Sequence, residues 1–477
     1  MSHIVGYHSK QLHEASKSAI YYWSLNSYPR ASIPAENPII PSPHIFEHLD
    51  DVHEDHLPTA KQCGVHLELL EAFHALHIKV VGSTDLDKTF GIGEPTKTVY
   101  RRKYVAGLKK FVNKEATVKN ELFEGQRKMK WPRFLDLAAE RFIDWAKKID
   151  AEMAKKASQT DSSDAQSWKS QEASLPFLPP LDVLMFWHAF LLNPSDWINY
   201  CRRESLNHLS KVSFPWKRIH EAINSQGTKT HAWAYKLPLA TQTWLKGEAR
   251  IAPDLYEHLV MLGKPIGFTM KATRNKTTVG VVSLYPPKDQ DSIIKTLCAN
   301  VSRQKVFVEK MHAHCWIRSP AVAGTLSRAV QRYENFLELF QLYPGKMLVP
   351  TLDIDLAWHT SQLSAAEYKA SMESRCGRFI NHDDKIGKPT LNNGMSETQN
   401  IYRIHFAEDY SVCLCWECQA VISALEVWDK EDTLDGTVNS PDLADKLAKD
   451  VKEEVDYHRA VESARRRNYT KLPLPKF

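Results

Sequence analysis

The stretch LPPLDVLMFWHAFLLNPSDWINYC (residues 178–201) aligns without gaps with VPTLDIDLAWHTSQLSAAEYKASM (residues 349–372), at an offset of 171. The preceding segments also agree, since AAERFIDW resembles AVQRYENF at an offset of 191. The extra 20 residues of the first copy coincide with the polar stretch SQTDSSDAQSWKSQEAS. Internal similarity of this kind indicates two related structural units, the first carrying an inserted linker. Identical residues in the alignment include Asp182 and Asp353, Trp187 and Trp358, His188 and His359, and Leu192 and Leu363.

Apolar spacing around the two copies is helical. Thr59 is placed to cap a helix through residues 61–81, and a second long helix fits residues 131–157. β-branched residues in 276–287 predict a short strand. We therefore expect a mainly α protein, with two related helical repeats packed together and a small irregular or β-containing middle segment. The predicted units are an extended N-terminal arm (1–58), a first helical repeat unit (59–225, linker about 155–175), the middle segment (226–292), a second helical repeat unit (293–430), and a charged C-terminal helix and tail (431–477).

Composition limits the class of protein. With 477 residues, 43% of them hydrophobic and 25% charged, the chain has the balance of a globular protein with more than one domain-sized unit. Sixty-two basic and 57 acidic residues give a net charge of +5, too diffuse to predict a nucleic-acid partner. Apolar runs are shorter than the ~18 residues of a membrane span. The N-terminal residues lack a signal-peptide core, and eight cysteines are few enough to be free thiols. A cytoplasmic protein is expected.

The repeated unit contains residue types that could serve structure or chemistry. Asp182 and Asp353 each follow a proline and precede an apolar run, so they are placed to accept the first amide hydrogens of a helix. Trp187 lies on the face of Val183 and Leu184, and core packing is the alternative to a role in a pocket wall.

The two copies differ beside their histidines. In the second copy Asp355 and His359 are four residues apart on one helical face, so the carboxylate can orient the imidazole or share a ligand with it. In the first copy Leu184 replaces that aspartate, which leaves His188 without a local partner. A buried structural histidine is the alternative to a catalytic one at either position.

These motifs resemble the glycine-rich domain-containing protein-like family, whose hallmark is a PPLD–WH unit followed by PTLDIDLxWHTHQLS. Residues 350–364, PTLDIDLAWHTSQLS, match the second unit closely. Residues 57–80, GRFINHDDK at 377–385 and CLCWEC at 413–418 are similar to the fungal branch, so the resemblance covers roughly residues 58–425. The chain is identified as a member on this basis.

The sequence departs from the family pattern at one informative place. Ser361 replaces the second histidine of WHTH, and the matching position in the first unit is Phe190. If paired histidines bind a metal in this family, each unit here has lost one ligand. Glycine is scarce, at 18 residues, and no glycine-rich stretch like that of the plant members occurs in this sequence.

Other constellations are weaker. Cys413, Cys415 and Cys418 form a C-x-C-x-x-C cluster that His382 or Cys376 could complete as a zinc site, and free structural thiols are the alternative. Phosphate-binding glycine loops, a nucleophile elbow and an H-E-x-x-H helix are all missing. We therefore expect no cofactor and assign no metal.

The resemblance implies a function, because fungal relatives include natural-product proteins such as norbornene-forming Diels–Alderases of the sordarin type. It implies a cofactor-independent cyclase that holds an apolar terpenoid intermediate between the two repeats. His188 or His359 would polarise a carbonyl of the substrate, with Asp355 holding His359. Asp182 and Asp353 are further candidate catalytic residues, and Trp187, Trp358 and Phe190 are the candidate pocket walls.

Two alternatives remain open from the sequence. The first is a scaffold protein that docks a protein partner through its charged C-terminal helix, a role favoured by the regulatory descriptions of plant relatives. The amphipathic pattern of residues 441–467 predicts that this helix lies on the surface or faces a partner. The second is a metal-dependent oxygenase with Asp355, His359 and His382 as a facial set of ligands, the pattern that suits non-haem iron. The missing WHTH histidine weighs against the oxygenase.

Overall fold

A computed structural model describes residues 28–49, 57–159, 174–228, 231–263, 291–382, 388–432 and 441–476. Over these ranges the protein is mainly α, as predicted, with two small antiparallel hairpins. Within these ranges no helix combines the length and the apolar character needed to cross a membrane. The predicted strand at 276–287 and most of the inserted linker lie outside the described residues.

The first half of the chain begins with a capped helix. Thr59 accepts a hydrogen bond from the amide of Gln62, whose side chain accepts one from the amide of Thr59, so the predicted cap is confirmed. The elements that follow, with the labels used below, are α1 (Ala60–Gly82), α2 (Thr84–Thr89), β1 (Thr96–Val105), β2 (Lys110–Lys119), α3 (Glu121–Lys128), α4 (Lys130–Gln159), α5 (Leu181–Leu191), α6 (Pro194–Glu204), α7 (Trp216–Ala222), β3 (Ile223–Asn224), β4 (Ala234–Tyr235), α8 (Leu239–Trp244) and α9 (Leu255–Leu262).

The second half is helical throughout its described part. It starts with a long helix, repeats the two-helix motif of the first half and ends in a long charged helix. Its elements are α10 (Asp291–His314), α11 (Val322–Leu342), α12 (Leu352–Gln362), α13 (Ala365–Cys376), α14 (Lys388–Phe406), α15 (Trp416–Asp432) and α16 (Pro441–Arg466).

Matched positions in the two copies form matched ion pairs. Nε of Arg141 on α4 lies 2.7 Å from Oδ2 of Asp182 on α5, and Nε of Arg332 on α11 lies 2.7 Å from Oδ2 of Asp353 on α12. Both aspartates are buried. Among the described residues neither carboxylate caps its helix, so the capping prediction is wrong. The aspartates instead join the two helices of each unit.

The aromatic packing is matched as well. Trp187 of α5 lies 5.7 Å from Trp145 of α4, and Trp358 of α12 lies 5.7 Å from Phe336 of α11, measured between ring centroids. Trp145 and Phe336 are equivalent at the offset of 191. The duplication in sequence is therefore a duplication of the helix-pair interface.

Two long helices connect the units. α1 packs against α4 and α7 of the first half and against α10, α11 and α12 of the second, while α10 packs against α1, α4 and α5. The buried apolar side chains of both halves form one continuous cluster. The side chains of α1 and α10 therefore lie where the two copies of the histidine helix approach each other.

The chain termini differ from expectation in one respect. The described part of the N-terminal arm contains two short 3-10 turns and pairs with residues 472–474 through backbone hydrogen bonds. The C-terminal half of α16 is buried, with Val455 and Val461 fully inaccessible to solvent. Arg465 of this half donates hydrogen bonds to the carbonyl oxygens of Ile40 and Pro38. The prediction of a surface helix is wrong for this half, because the arm and the body cover it.

One element was missed entirely. Residues 96–119 form a two-stranded antiparallel hairpin, although this segment was assigned to the first helical unit. Val99, Tyr100, Tyr104, Val112 and Val118 supply the β-branched and aromatic character that favours strands.

Candidate functional site

The histidine of the first unit has a partner on α1. Nε2 of His188 lies 2.8 Å from Nε2 of His66, and Nδ1 of His66 lies 2.9 Å from Oγ1 of Thr360 on α12. Both rings are buried. A chain of hydrogen bonds, called the histidine chain below, therefore runs from His188 on α5 through His66 on α1 to Thr360 on α12 and joins the two units.

Both imidazoles are neutral at neutral pH. Burial, and then the neighbouring His359, lower the pKa of His188 to about 3. Burial, followed by His188 and His359, lowers the pKa of His66 well below its usual range. Among the described residues, the charges that act on these two rings are those of other histidines, so nothing offsets the loss of hydration of an imidazolium here.

The histidine chain fixes which ring nitrogen of each imidazole carries the proton. The hydroxyl of Thr360 donates to the carbonyl oxygen of Leu356 at 2.7 Å, so its oxygen accepts from Nδ1–H of His66. A neutral His66 protonated at Nδ1 has an unprotonated Nε2, which accepts from Nε2–H of His188. His188 is thereby left with an unprotonated Nδ1.

The ring of His188 also lines a cleft, called the histidine cleft below, that opens to solvent and has about 30 Å³ of enclosed space. Enclosed space of this size holds only one or two water molecules, so a larger ligand has to occupy the open side of the cleft. Gln304 and Lys305 of α10 are among its polar lining residues. The apolar walls come from α1, α4, α5 and α10 and comprise Phe73, Trp131, Met185, Ala189, Val301 and Val308.

The second unit holds a different set of groups. Oδ1 of Asp355 lies 3.3 Å from Nε2 of His359 and 3.8 Å from Nε2 of His382, and the two imidazole nitrogens are 3.3 Å apart. These residues are the facial set grouped from the sequence, and the structure brings them together.

Aromatic side chains pack against the two histidines of this set, and the histidines affect the pKa of Asp355. Phe307 contacts the ring of His359 with centroids 4.5 Å apart, and Trp358 contacts the ring of His382 at 5.0 Å. Burial raises the pKa of Asp355, but His359 and His382 outweigh that effect, so the net shift is downward. The carboxylate is therefore ionised at neutral pH.

The other predicted site residues lie in the core. Trp187, Phe190 and Trp358 are 1%, 1% and 5% exposed and pack against aromatic neighbours, which favours the packing alternative for them. Asp182 and Asp353 are engaged by Arg141 and Arg332.

The cysteine cluster is compact but separate. Sγ of Cys413 lies 3.3 Å from Sγ of Cys415, and Cys418 completes a group within 4.8 Å, just before and inside the first turn of α15. His382, predicted as a possible fourth ligand, lies instead with Asp355 and His359. All eight cysteines are free thiols.

Sequence reasoning missed His66 and Thr360, the partners that define His188. The one available signal was that His66 interrupts the apolar face of α1 beside Val65, Leu69 and Leu70. The pairing itself joins residues 122 and 294 positions apart, which no local pattern encodes.

Residues 268–371 match the family described as glycine-rich domain-containing protein-like. This segment contains Asp355 and His359 but neither His188 nor His382. The chain is 31% identical to glycine-rich domain-containing protein 1 of Arabidopsis thaliana over 145 residues, which is 29% of this chain and 16% of that protein. It is 41% identical to glycine-rich domain-containing protein 2 of the same plant over 63 residues, 12% of this chain and 8% of the relative.

The chain thus spans less than a fifth of the length of these curated relatives. No solved structure matches it.

Proposed function

We propose that the protein is a cofactor-independent cyclase of the Diels–Alderase type that binds an apolar terpenoid intermediate in the histidine cleft. We also propose that it belongs to the fungal, natural-product branch of the family, near the norbornene-forming enzymes of sordarin-type biosynthesis, and acts in the cytoplasm. The observation that carries the proposal is the cleft itself, in which apolar walls surround a buried, neutral imidazole.

The apolar walls of the cleft are suited to an intramolecular cycloaddition. Such a reaction converts three carbon–carbon π bonds into two σ bonds and one π bond, with no atom gained or lost. The protein has to hold diene and dienophile in contact, and aromatic and aliphatic surfaces do this without competing polar groups. Trp131 and Phe73 supply the aromatic surface, while Val301 and Val308 oppose them from α10.

The proton positions on His188 change the role that the sequence predicts for it. His188 offers an unprotonated Nδ1, so it accepts a hydrogen bond from a substrate hydroxyl and cannot polarise a carbonyl through that atom. Donors among the lining residues include the amide of Gln304 and the ammonium of Lys305, which also pairs with Glu309 at 3.3 Å. We assign carbonyl activation to these two groups and substrate orientation to His188.

The test is a search for a product of unchanged mass. Purified protein is incubated with protein-free metabolite extract from the source organism and followed by chromatography coupled to mass spectrometry. An isomer formed only in the presence of protein supports a cyclase. A product heavier by one oxygen supports the oxygenase alternative and contradicts the proposal.

A matched pair of variants locates the reaction. Val308→Phe fills the cleft, whereas Val306→Phe places the same side chain on the exposed face of the same helix, where Val306 is 55% exposed. We expect the first variant to lose at least about 90% of product formation and the second to keep it, with equal thermal stability as the check on folding. Equal activity of the two variants would exclude the cleft.

A second function, that of an interaction protein, is favoured by the β1–β2 hairpin. Residues 96–119 carry eight basic residues and one acidic residue. Tyr100, Tyr104 and Phe111 are 67%, 51% and 57% exposed among these charges. A surface of this kind fits an acidic protein segment, with rings and guanidinium groups supplying contact area.

Salt-dependent retention on a polyglutamate column tests the second function. Reversal of Arg101, Arg102 and Lys103 to glutamate is compared with the same reversal of Lys446, Lys449 and Lys452, which are exposed on α16 and change the net charge equally. Loss of retention in the hairpin variant alone supports the interaction surface. Equal loss in both variants contradicts it, because net charge then explains the binding.

A further inference from the structure

We infer that Asp355, His359 and His382 form a binding site for one divalent transition-metal ion of the zinc type, with an open fourth coordination position. This inference does not rest on the proposed cyclase, because it concerns a different cluster in the other repeat unit.

The separations of the ligand atoms carry the inference. The two imidazole nitrogens and Oδ1 of Asp355 are 3.3, 3.3 and 3.8 Å apart. Ligands 2.0 to 2.1 Å from a tetrahedral ion are about 3.4 Å from each other. In an octahedral facial set the same ligands are about 3.0 Å apart. The arrangement is therefore closer to that of a tetrahedral site, with three protein ligands and one position left for water or substrate.

The chemistry of the set points the same way. Two imidazole nitrogens face each other and one carboxylate oxygen, and a divalent cation interacts favourably with all three at once. The contacts of Phe307 with His359 and of Trp358 with His382 hold both rings edge-on. The set lies near the surface on the side of Asp355, whose side chain is 23% exposed although its Oδ1 is buried, whereas the side chain of His359 is 3% exposed.

The position of Ser361 does not weaken the set. On a helix, residues two positions apart lie about 200° around the axis, so His359 and Ser361 cannot direct side chains at one ion. The third ligand comes from beyond α13, at His382. The loss of the WHTH histidine, which weighed against a metal from the sequence alone, therefore removes no ligand of this set.

The first unit supplies an internal contrast. Leu184 occupies the position equivalent to Asp355, so His188 has no carboxylate one helical turn away. His188 is instead joined to His66. The inference is thus restricted to the second unit and predicts one ion per chain at this type of site.

Cobalt(II) is the probe, because its visible absorption is strong in tetrahedral sites and weak in octahedral ones. The metal-free full-length protein is titrated with Co²⁺ in the Cys415→Ser background, which removes a central thiol of the other cluster. We expect a strong visible band that saturates at about one ion per chain, is displaced by Zn²⁺, and lacks the near-ultraviolet charge-transfer band of thiolate ligands.

Variants decide whether the proposed ligands are responsible. Asp355→Leu and His382→Ala should each weaken Co²⁺ binding at least about tenfold, with Asp355→Glu retaining more affinity than Asp355→Leu. His405→Ala is the matched control, since Nε2 of His405 lies 2.9 Å from Oε1 of Glu338 in an exposed pair outside the proposed ligand set. Circular dichroism and thermal melting of the metal-free variants check their folding.

Three results would overturn the inference. They are a weak octahedral spectrum, unchanged binding in both ligand variants, and a thiolate charge-transfer band in place of the visible one. None of them bears on the histidine cleft, so failure here leaves the proposed cyclase to its own test.

Discussion

The two repeat units share their framework and differ around their equivalent histidines. In both units an arginine of the first helix binds a buried aspartate of the second, and a buried tryptophan packs against an aromatic side chain of the first helix. His188 is hydrogen-bonded to His66 and lines an apolar cleft, whereas His359 lies beside Asp355 and His382. Duplication preserved the contacts that hold the helices together and allowed the chemistry at one position to diverge.

One substitution, four residues before the histidine, places Leu184 in the first unit where the second has Asp355. An apolar side chain one turn before the histidine leaves that histidine neutral and dependent on a distant partner. A carboxylate at the same position creates an anionic site that favours a cation. We infer that the environment of each histidine, rather than the shared WH motif, determines what each unit can do.

Loss of the buried arginine–aspartate pair should destabilise both units equally. Arg141→Met and Arg332→Met each leave a buried aspartate without its cation, and each should lower the free energy of unfolding by about 3 to 5 kcal/mol. Urea denaturation measures the change. Lys79→Met, which removes an exposed pair with Glu257, is the control and should change stability by less than about 1 kcal/mol. A large effect in one unit alone would show that the frameworks are not equivalent.

Exchanging the divergent residues should have opposite consequences. Leu184→Asp buries a carboxylate that has no cation beside it, and should destabilise the protein by about 3 kcal/mol. Asp355→Leu should change the stability of the metal-free protein by less than about 1 kcal/mol. Both are measured by denaturant titration at pH 7 without metal. Equal destabilisation by the two substitutions would contradict the distinction between the sites.

Acid should affect the first unit through its neutral histidines. The pKa of His188 is lowered to about 3 in the folded protein and is near 6.5 when unfolded. The unfolded chain therefore binds more protons between these values, and stability is full above pH 6.5 and declines as the pH falls toward 3. Replacing His188 by Gln should reduce the slope of unfolding free energy by about 1.4 kcal/mol per pH unit below pH 6. A slope identical to that of the unmodified protein would show that His188 is already protonated in the fold.

The smallest expected difference concerns the paired tryptophans. Nε1 of Trp358 donates to the hydroxyl of Tyr368 at 3.0 Å, whereas Nε1 of Trp187 is buried with no hydrogen-bond partner among the described residues. Trp358→Phe should therefore be more destabilising than Trp187→Phe by about 1 kcal/mol. Equilibrium unfolding of the two variants provides the comparison, and the reverse order would contradict these contacts.

Local patterns predicted a large part of this fold. Helical periodicity and the cap at Thr59 located α1 and α4, and the offset alignment predicted the repeated helix pair. The hairpin at 96–119 was missed because its strands are exposed on both faces and show no alternation of buried and exposed residues.

The candidate site was predicted only where its residues are close in sequence. Asp355 and His359 share a helical face, and that spacing is readable. His66 approaches His188 through tertiary packing of α1 between the units, and the aspartates bind arginines 21 and 41 residues away. Such pairings follow from helix packing, which no spacing within one helix reveals.

Nitrogen-15 spectra of histidine rings, recorded with and without Zn²⁺, test the central claim that the equivalent histidines have different roles. We predict that Nε2 of His359 and of His382 shift on addition of about one equivalent of Zn²⁺. His188 and His66 should remain neutral, with the proton of His188 on Nε2 throughout. A Zn²⁺-dependent change of coordination at His188, or unchanged signals from His359 and His382, would contradict the account.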